Sequence, residues 1–336
     1  MFRLIKRCLV LGLFVVLLSA ATVVWWVAQP LPMTLLNGAT AIDLQVKPNA
    51  TPLSVAKDLS ASGVTVPGWV LFEWFRWSGE ATQIKAGSYE IAPGLTPRGL
   101  LDMLTAGKQA TRRVIIVEGW TFAQMRQALA SAPTLRSDTD SLSDAELMTR
   151  IGRPGVHPEG RFFPDTYVYP KNGSDVDLYK QAAAQMDSRV AAAWKYRDSR
   201  TPVDNQEDLL ILASIVEKET NHDADRALVA GVFANRLRIG MRLQTDPTVI
   251  YGLGDAFNGN LQRKHLRSDT PYNSYTRAGL PPTPIALPSE ASLKAAVNPA
   301  DTDAFYFVAK GDGTSAFSPD LAAHNRAVRR FILKQP

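Results

Sequence analysis

Cysteine is almost absent from this sequence, since Cys8 is the single one among 336 residues. One thiol cannot form an intramolecular disulfide, so a disulfide-stapled fold is excluded. The motifs HExxH, CxxC, GxSxG, GxGxxG and the P-loop are also missing, and the four histidines, at 157, 222, 265 and 324, are widely spaced. We therefore expect no metal and no cofactor, and an enzyme with this sequence would have to work with carboxylates.

Acidic residues are missing before Asp43, whereas Arg3, Lys6 and Arg7 lie in that stretch. The chain has 37 Lys+Arg against 32 Asp+Glu, and without those three residues the balance is 34 to 32. Binding to a phosphate backbone needs a concentrated basic surface. The charge therefore predicts no nucleic-acid partner.

A long apolar run is the clearest feature that is present. Residues 8–28 carry no charge and would span about 30 Å as a helix, which is one hydrocarbon core. Because the basic residues all precede the run, we expect a cytoplasmic N-terminus and anchor over 1–30, a tether over 31–40, and the rest on the far side of the membrane. A cleaved signal peptide with Ser19-Ala20-Ala21 as its site is the alternative, but the apolar run continues through Trp25 and Trp26.

Residues 41–110 form the first predicted module outside the membrane. Alternation predicts strands at 42–46 and 86–91, and helical spacing predicts helices at 52–61, 67–77 and 96–105. Thr51 and Thr96, each followed by proline, are expected to cap the first and last of these helices. The order resembles that of LysM domains, which bind glycans containing N-acetylglucosamine, although many small folds share it.

Residues 111–336 read as a helix-rich domain of catalytic size with a small sheet. Strands are predicted at 112–117 and 304–309, a loop at 137–144, and a turn-rich segment after Gly240. Helices are predicted at 121–129, 174–197, 204–219, 223–239 and 319–333. The fold class is therefore α+β: a transmembrane helix, a LysM-like subdomain and a helix-rich catalytic domain.

The helix over 206–220 brings a carboxyl group out of an apolar environment. It is apolar nearly all round from Leu209 to Val216, which is typical of a buried helix. Glu219 follows the apolar face of Leu212 and Ile215, whereas Glu217 lies over Ala213 and Ser214. A carboxyl that loses hydration in a cleft has a raised pKa and suits a general acid. The alternative is that both glutamates are solvated or salt-bridged at a helix end.

Three polar segments with aromatic neighbours are candidate ligand contacts. They are 160–170, which includes Asp165, then 244–248 and 272–276. Aromatic faces beside hydrogen-bonding groups suit a neutral polyhydroxylated ligand such as a sugar, although the same runs equally build turns or a buried strand. His222 near Asp223 and Asp225 indicates a capped helix start rather than a metal site.

Residues 54–57 match the S-x-x-K motif of penicillin-binding enzymes, but the K-T-G motif of those enzymes does not follow, so we interpret the match as chance.

Several ordered motifs resemble the endolytic murein transglycosylases, the MltG or YceG-like family. They are EGRFFPDTY (159–167), ASIVEKET (213–220), NRLRIGMRLQTDPTVIYG (235–252), PYNSY (271–275), GLPP (279–282), FYFVA (305–309) and SPDLAAHN (318–325). The resemblance implies an enzyme anchored in the bacterial inner membrane, with its catalytic domain outside that membrane. It cuts peptidoglycan strands internally, between N-acetylmuramic acid and N-acetylglucosamine, and leaves 1,6-anhydro ends. The resemblance also implies termination of nascent glycan strands and a partnership with glycan synthases, the penicillin-binding proteins.

The family's catalytic glutamate corresponds to Glu219, and its single-carboxylate reaction uses the substrate's C6 hydroxyl as nucleophile. Six further residues are expected to support the substrate: Asp165, Glu217, Gln244, Asp246, Asn273 and Tyr275. For Glu217 an alternative is that it orients the helix end or pairs with a basic group. Two other functions stay open: a glycan-binding scaffold without catalysis, and a hydrolase with Glu219 as acid and Asp246 or Asp165 as base or nucleophile.

Overall fold

The structure is a computed structural model that describes residues 2–36 and 38–334. This part of the chain contains thirteen α-helices and six β-strands, which pair into three two-stranded sheets. The predicted helix-rich α+β class is therefore confirmed. The chain divides into an N-terminal unit, which comprises the described residues up to Arg112 and Val168–Gly173, and a C-terminal unit, which comprises Arg113–Tyr167 and the described residues from Ser174 onward.

The elements of the first part of the chain follow the predicted order closely. They are α1 (Phe2–Val27), β1 (Ile42–Val46), α2 (Pro52–Ala61), α3 (Gly68–Ser78), β2 (Gly87–Ile91) and α4 (Pro97–Ala106). A second sheet pairs β3 (Thr111–Ile115) with β4 (Thr166–Pro170). The glycan-binding role expected of this module stays a prediction.

Strand alternation and helix caps explain why the N-terminal unit folds as it does. β1 pairs antiparallel with β2 in the register Ile42↔Ile91, and every second residue of β1 is buried. The Oγ1 of Thr51 accepts from the Ser54 N–H at 3.2 Å, so this residue caps α2 as predicted. Thr96 caps α4 in the same way.

Helix α1 is long and apolar enough to cross a membrane over Ile5–Val27. Its residues in that range are not buried within the protein, as expected for side chains that face lipid. The helix therefore fits a single-pass membrane anchor.

The C-terminal unit adds nine helices and one sheet among the described residues. They are α5 (Phe122–Ala130), α6 (Asp144–Arg150), α7 (Asp175–Lys195), α8 (Gln206–Glu219), α9 (Asp223–Arg238), α10 (Asp246–Leu253), α11 (Arg263–Arg267), α12 (Glu290–Val297), α13 (Leu321–Phe331), β5 (Tyr306–Ala309) and β6 (Ser315–Ser318). The segment after Gly240, predicted only as turn-rich, thus contains three short helices.

Helix α8 lies at the centre of this unit. All residues from Leu209 to Glu217 are buried, and they share a core with α7, α9 and α12. Asn205 starts the helix, because its Oδ1 accepts from the Asp208 N–H at 2.9 Å. The packing fixes the direction of α8 and so determines where its last residues point.

Candidate active site

Glu219 is the last residue of α8, and it lines a cavity of about 370 Å³. Three other predicted residues line the same cavity: Gln244, Asp246 and Tyr275. The structure adds residues that were not predicted, namely Arg236, Leu243, Tyr306, Phe307, Leu321 and His324. A helix-end carboxyl, a second carboxyl and aromatic rings therefore meet in one cleft.

Thr245 holds the Glu219 carboxyl. Its Oγ1 donates to Oε1 of Glu219 at 2.8 Å. Thr245 precedes the first residue of α10, yet its side chain makes no capping bond to that helix. Ser274 fixes Thr245 in turn, because its Oγ accepts from the Thr245 N–H at 3.0 Å. In the described part of the chain Oε2 of Glu219 has no such partner, so it is the oxygen left to face a substrate.

The electrostatic surroundings favour a protonated Glu219. Burial raises the pKa of its carboxyl above the usual value, and the negative charge of Asp246 raises it further. The hydrogen bond from Thr245 and the positive charge of Arg236 oppose this shift without reversing it. A carboxylic acid with a raised pKa can donate a proton near neutrality.

Asp246 is the second carboxylate of the cleft and the first residue of α10. Its Oδ1 accepts from the Tyr275 hydroxyl at 2.6 Å. Burial raises the pKa of Tyr275, and the hydrogen bond to Asp246 adds to this effect, so the phenol stays protonated and keeps donating. The pair joins the start of α10 to the 271–275 loop across the cleft.

Arg236 supplies a buried positive charge at the edge of the cavity. Its Nε donates to the Phe305 carbonyl at 2.7 Å and its Nη1 to the Leu243 carbonyl at 2.6 Å. The guanidinium also lies 5.2 Å from the centre of the Tyr306 ring, within the range of a cation–π contact. Arg236 thereby ties α9 to two segments that line the cleft.

Tyr306 and His324 form an aromatic wall. Their rings stack with centroids 5.3 Å apart and planes 26° apart. Nδ1 of His324 is buried and has no hydrogen-bond partner within the described residues. Burial lowers the pKa of His324, and the nearby Arg236 lowers it further, so the imidazole is neutral at physiological pH.

Gln244 has an unusual backbone conformation for a residue with a side chain. Its φ is +47°, in the left-handed region that glycine adopts more easily. Its N–H donates to the Ser274 carbonyl at 3.1 Å, which holds the strained residue in place. Strain of this kind clusters at functional sites.

Three predicted substrate contacts have structural partners instead, and none of them lines the cavity around Glu219. Glu217 is buried, and its Oε2 accepts from the N–H of Ser289 at 2.9 Å and from the hydroxyls of Ser289 and Ser292. Because Ser289 caps α12, Glu217 holds the start of that helix. Asn273 is fully buried and bonds to backbone groups of its own loop. Asp165 accepts from the side chain of Gln185.

The residues that were missed lie in segments already notable in the sequence. Arg236, Tyr306 and His324 fall within NRLRIG, FYFVA and SPDLAAHN. Their side chains reach Glu219 only through the packing of α9, β5 and α13, and spacing along the chain does not reveal that packing. Among the described residues, no group of three or more His, Cys, Asp or Glu side chains is arranged to hold a metal ion.

Known proteins are similar to this chain in sequence and in fold. The YceG-like family model matches residues 44–330. An endolytic murein transglycosylase from Bacillus subtilis is 30% identical, over 88% of this chain and 86% of that protein. One from Streptococcus pneumoniae is 25% identical, over 88% of this chain and 59% of that protein. The crystal structure of a YceG-like protein from Listeria monocytogenes aligns with a TM-score of 0.53 at 25% identity, over 85% of this chain and 98% of that one.

Proposed function

The chain belongs to the YceG-like family, and from this premise we propose that it is an endolytic murein transglycosylase with Glu219 as its catalytic acid. Its substrate is the glycan strand of peptidoglycan, and its activity is that of a lyase. We assign the acid from the position of Glu219. This residue ends a buried helix, lines a cavity, and has one carboxyl oxygen bound by Thr245.

The reaction needs a single carboxyl group in two successive roles. Protonated Glu219 gives its proton to the oxygen that links N-acetylmuramic acid to N-acetylglucosamine, and the bond from that oxygen to C1 of the muramic acid breaks. The C6 hydroxyl of the same sugar then attacks C1 and loses its proton to the Glu219 carboxylate. The products are a 1,6-anhydro-muramyl end and a free N-acetylglucosamine end, and Glu219 is protonated again.

The other cleft residues support the sugar and the developing positive charge. The carboxylate of Asp246, held by Tyr275, stabilises an oxocarbenium-like transition state electrostatically. Tyr306 and Phe307 line the cavity and offer aromatic surface against which a sugar ring can pack. The His324 ring stacks on Tyr306 and holds it in position.

The location follows from α1 and from the charges before it. We expect the N-terminus in the cytoplasm and the C-terminal unit in the periplasm, because Arg3, Lys6 and Arg7 precede the span. An anchored enzyme that cuts new strands would terminate their elongation next to the glycan synthases, the penicillin-binding proteins. The support for this partner, and for glycan binding by the LysM-like module, is the family resemblance.

The direct test is the replacement Glu219→Gln, which keeps the shape of the side chain and removes the acid. The full chain in detergent is incubated with purified glycan strands, and the products are analysed by mass spectrometry. General acid–base catalysis contributes typically 10²–10⁴-fold, so we expect turnover to fall by about that factor while strands are still bound. The matched control is Glu207→Gln, an exposed glutamate at the other end of α8, which should cleave normally.

The product ends decide between the open alternatives. Anhydro ends that disappear in Glu219→Gln support the proposal. Reducing ends would indicate a hydrolase, a candidate that the presence of Asp246 in the same cavity keeps open. Strand binding without any cleavage would indicate a scaffold.

A further inference from the structure

Helix α3 exposes two tryptophans that the catalytic function does not use. Trp69 and Trp77 are 69% and 72% exposed, and they lie two turns apart on one face with Glu73 between them. Indole side chains carry large apolar surfaces, and a pair of them on one helix face marks an interaction surface. We call Trp69, Glu73 and Trp77 the tryptophan face.

This face is attached to the outer end of α1. Trp26 of α1 packs edge-on against Trp74 of α3, with ring centroids 6.5 Å apart. Leu31, just beyond α1, donates its N–H to the Leu95 carbonyl at 2.8 Å, which ties the chain to the residues before α4. The tryptophan face therefore cannot move far from the end of the membrane span.

A cavity of about 470 Å³ shows how deep the face lies relative to the span. It is lined on one side by residues of α1 beginning at Thr22, and on the other side by the tryptophan face with Val70 and Trp74. Thr22 precedes the end of α1 at Val27 by about 7 Å of helix rise. The headgroup layer on each side of a bilayer is about 5–7 Å thick. Side chains of α3 thus reach the level of the headgroups when α1 spans the membrane.

We propose that the tryptophan face binds the lipid headgroup layer of the membrane that α1 spans. Amphipathic indole rings prefer this layer, where one edge is apolar and the other is wet. Because the tryptophan face is continuous with the lipid-facing surface of α1, we expect lipid rather than a protein to cover it. Binding there holds the β1–β2 module at the membrane surface as a second attachment beside the anchor.

The charges on α3 set the depth of insertion. Glu73 forms an ion pair with Arg76 at 2.5 Å, and both side chains are partly exposed. A paired charge is tolerated among headgroups but not in hydrocarbon. The face therefore inserts only as far as its indole rings.

The test uses tryptophan fluorescence of the full chain in phosphatidylcholine nanodiscs, with and without bromine on the lipid chains. Bromine quenches indoles that contact lipid. The chain has seven tryptophans, and two of them, Trp25 and Trp26, lie on α1. The variant is Trp69→Phe with Trp77→Phe, and the control is Trp194→Phe in the C-terminal unit. Circular dichroism confirms that each variant is folded.

The two possible environments change the signal in opposite directions. Suppose that every tryptophan emits equally and that lipid contact quenches completely. If Trp25, Trp26, Trp69 and Trp77 contact lipid, three of the seven tryptophans still emit in the wild type, which is about three-sevenths of the fluorescence. In the double variant three of the remaining five still emit, which is about three-fifths. The proposal thus predicts a rise of about 1.4-fold in the residual fraction, whereas the control lowers it. If the face is in water or covered by a protein, the double variant lowers the residual fraction instead, and that result overturns the proposal.

Discussion

Glu159, a buried glutamate of the C-terminal unit, should make the stability of the protein depend on pH. Glu159 is 4% exposed, and its Oε1 accepts from the Phe122 N–H at 2.9 Å. Its carboxyl also bonds to the Tyr251 side chain of α10, the helix that begins with Asp246. Burial raises the pKa of Glu159 from 4.5 to about 7. The folded state therefore favours the neutral acid more strongly than the unfolded state does.

The shift gives the sign and the size of the effect. Each pKa unit corresponds to about 1.4 kcal/mol, so complete ionisation of Glu159 costs the folded state about 3 kcal/mol relative to the protonated form. The contribution of protonated Glu159 to the free energy of unfolding is fully present below about pH 4.5, and it is lost as the pH rises through about 7. Glu159→Gln removes the ionisation and keeps an acceptor for Phe122. Relative to the wild type, this variant should gain about 3 kcal/mol between pH 4.5 and 8.

The assay is urea unfolding of the full chain in a nonionic detergent, followed by circular dichroism over this pH range. Tyr251→Phe is the companion variant, because its hydroxyl lowers the pKa of Glu159. Its removal should move the loss of stability to higher pH. A constant difference in unfolding free energy between Glu159→Gln and the wild type across the range would refute the reasoning, since it would mean that Glu159 does not titrate with a raised pKa.

Three further predictions concern the cleft and its support. Thr245→Val removes the hydrogen bond that lowers the pKa of Glu219, so the basic limb of the kcat–pH profile should move to higher pH, while Thr245→Ser leaves it in place. Glu217→Ala leaves Ser289 and Ser292 without their acceptor and should lower the unfolding free energy by about 1–3 kcal/mol in urea; an unchanged midpoint would contradict the anchoring role. His324→Ala removes the ring that stacks on Tyr306 and should lower kcat/KM by about 2–10-fold, the equivalent of one aromatic pair, with unchanged circular dichroism.

Local signals predicted the elements whose boundaries are set by neighbouring residues. The alternation of Ile42, Leu44 and Val46 sufficed for β1, because one face of that strand is buried. Threonine followed by proline sufficed for the starts of α2 and α4. The short helices after Gly240 were missed because contacts distant in sequence hold them. In α10, the Thr248 hydroxyl contacts that of Ser274, and Tyr251 packs on Tyr272 at 4.9 Å.

The place of Glu219 at the end of a buried helix could be predicted from the sequence, whereas the residues that surround it in the cleft could not. Helical phase separates Glu219 from Glu217 by about 200°, and the apolar residues show which side of α8 is buried. The phase does not show what packs against each side. Ser289, which binds Glu217, and Thr245, which binds Glu219, are brought to α8 by tertiary folding alone.

Two departures from local stability lie beside Glu219, and they support the proposal of a catalytic centre there. Thr245 stands where a residue would cap α10, a bond worth about 1 kcal/mol, but its hydroxyl goes to Glu219 instead. Gln244 beside it keeps a left-handed backbone. By contrast, Oε2 of Glu217, two residues before Glu219, accepts three hydrogen bonds from Ser289 and Ser292. Sequences violate local rules where function requires it, so these two departures support the proposal that Glu219, rather than Glu217, acts on substrate.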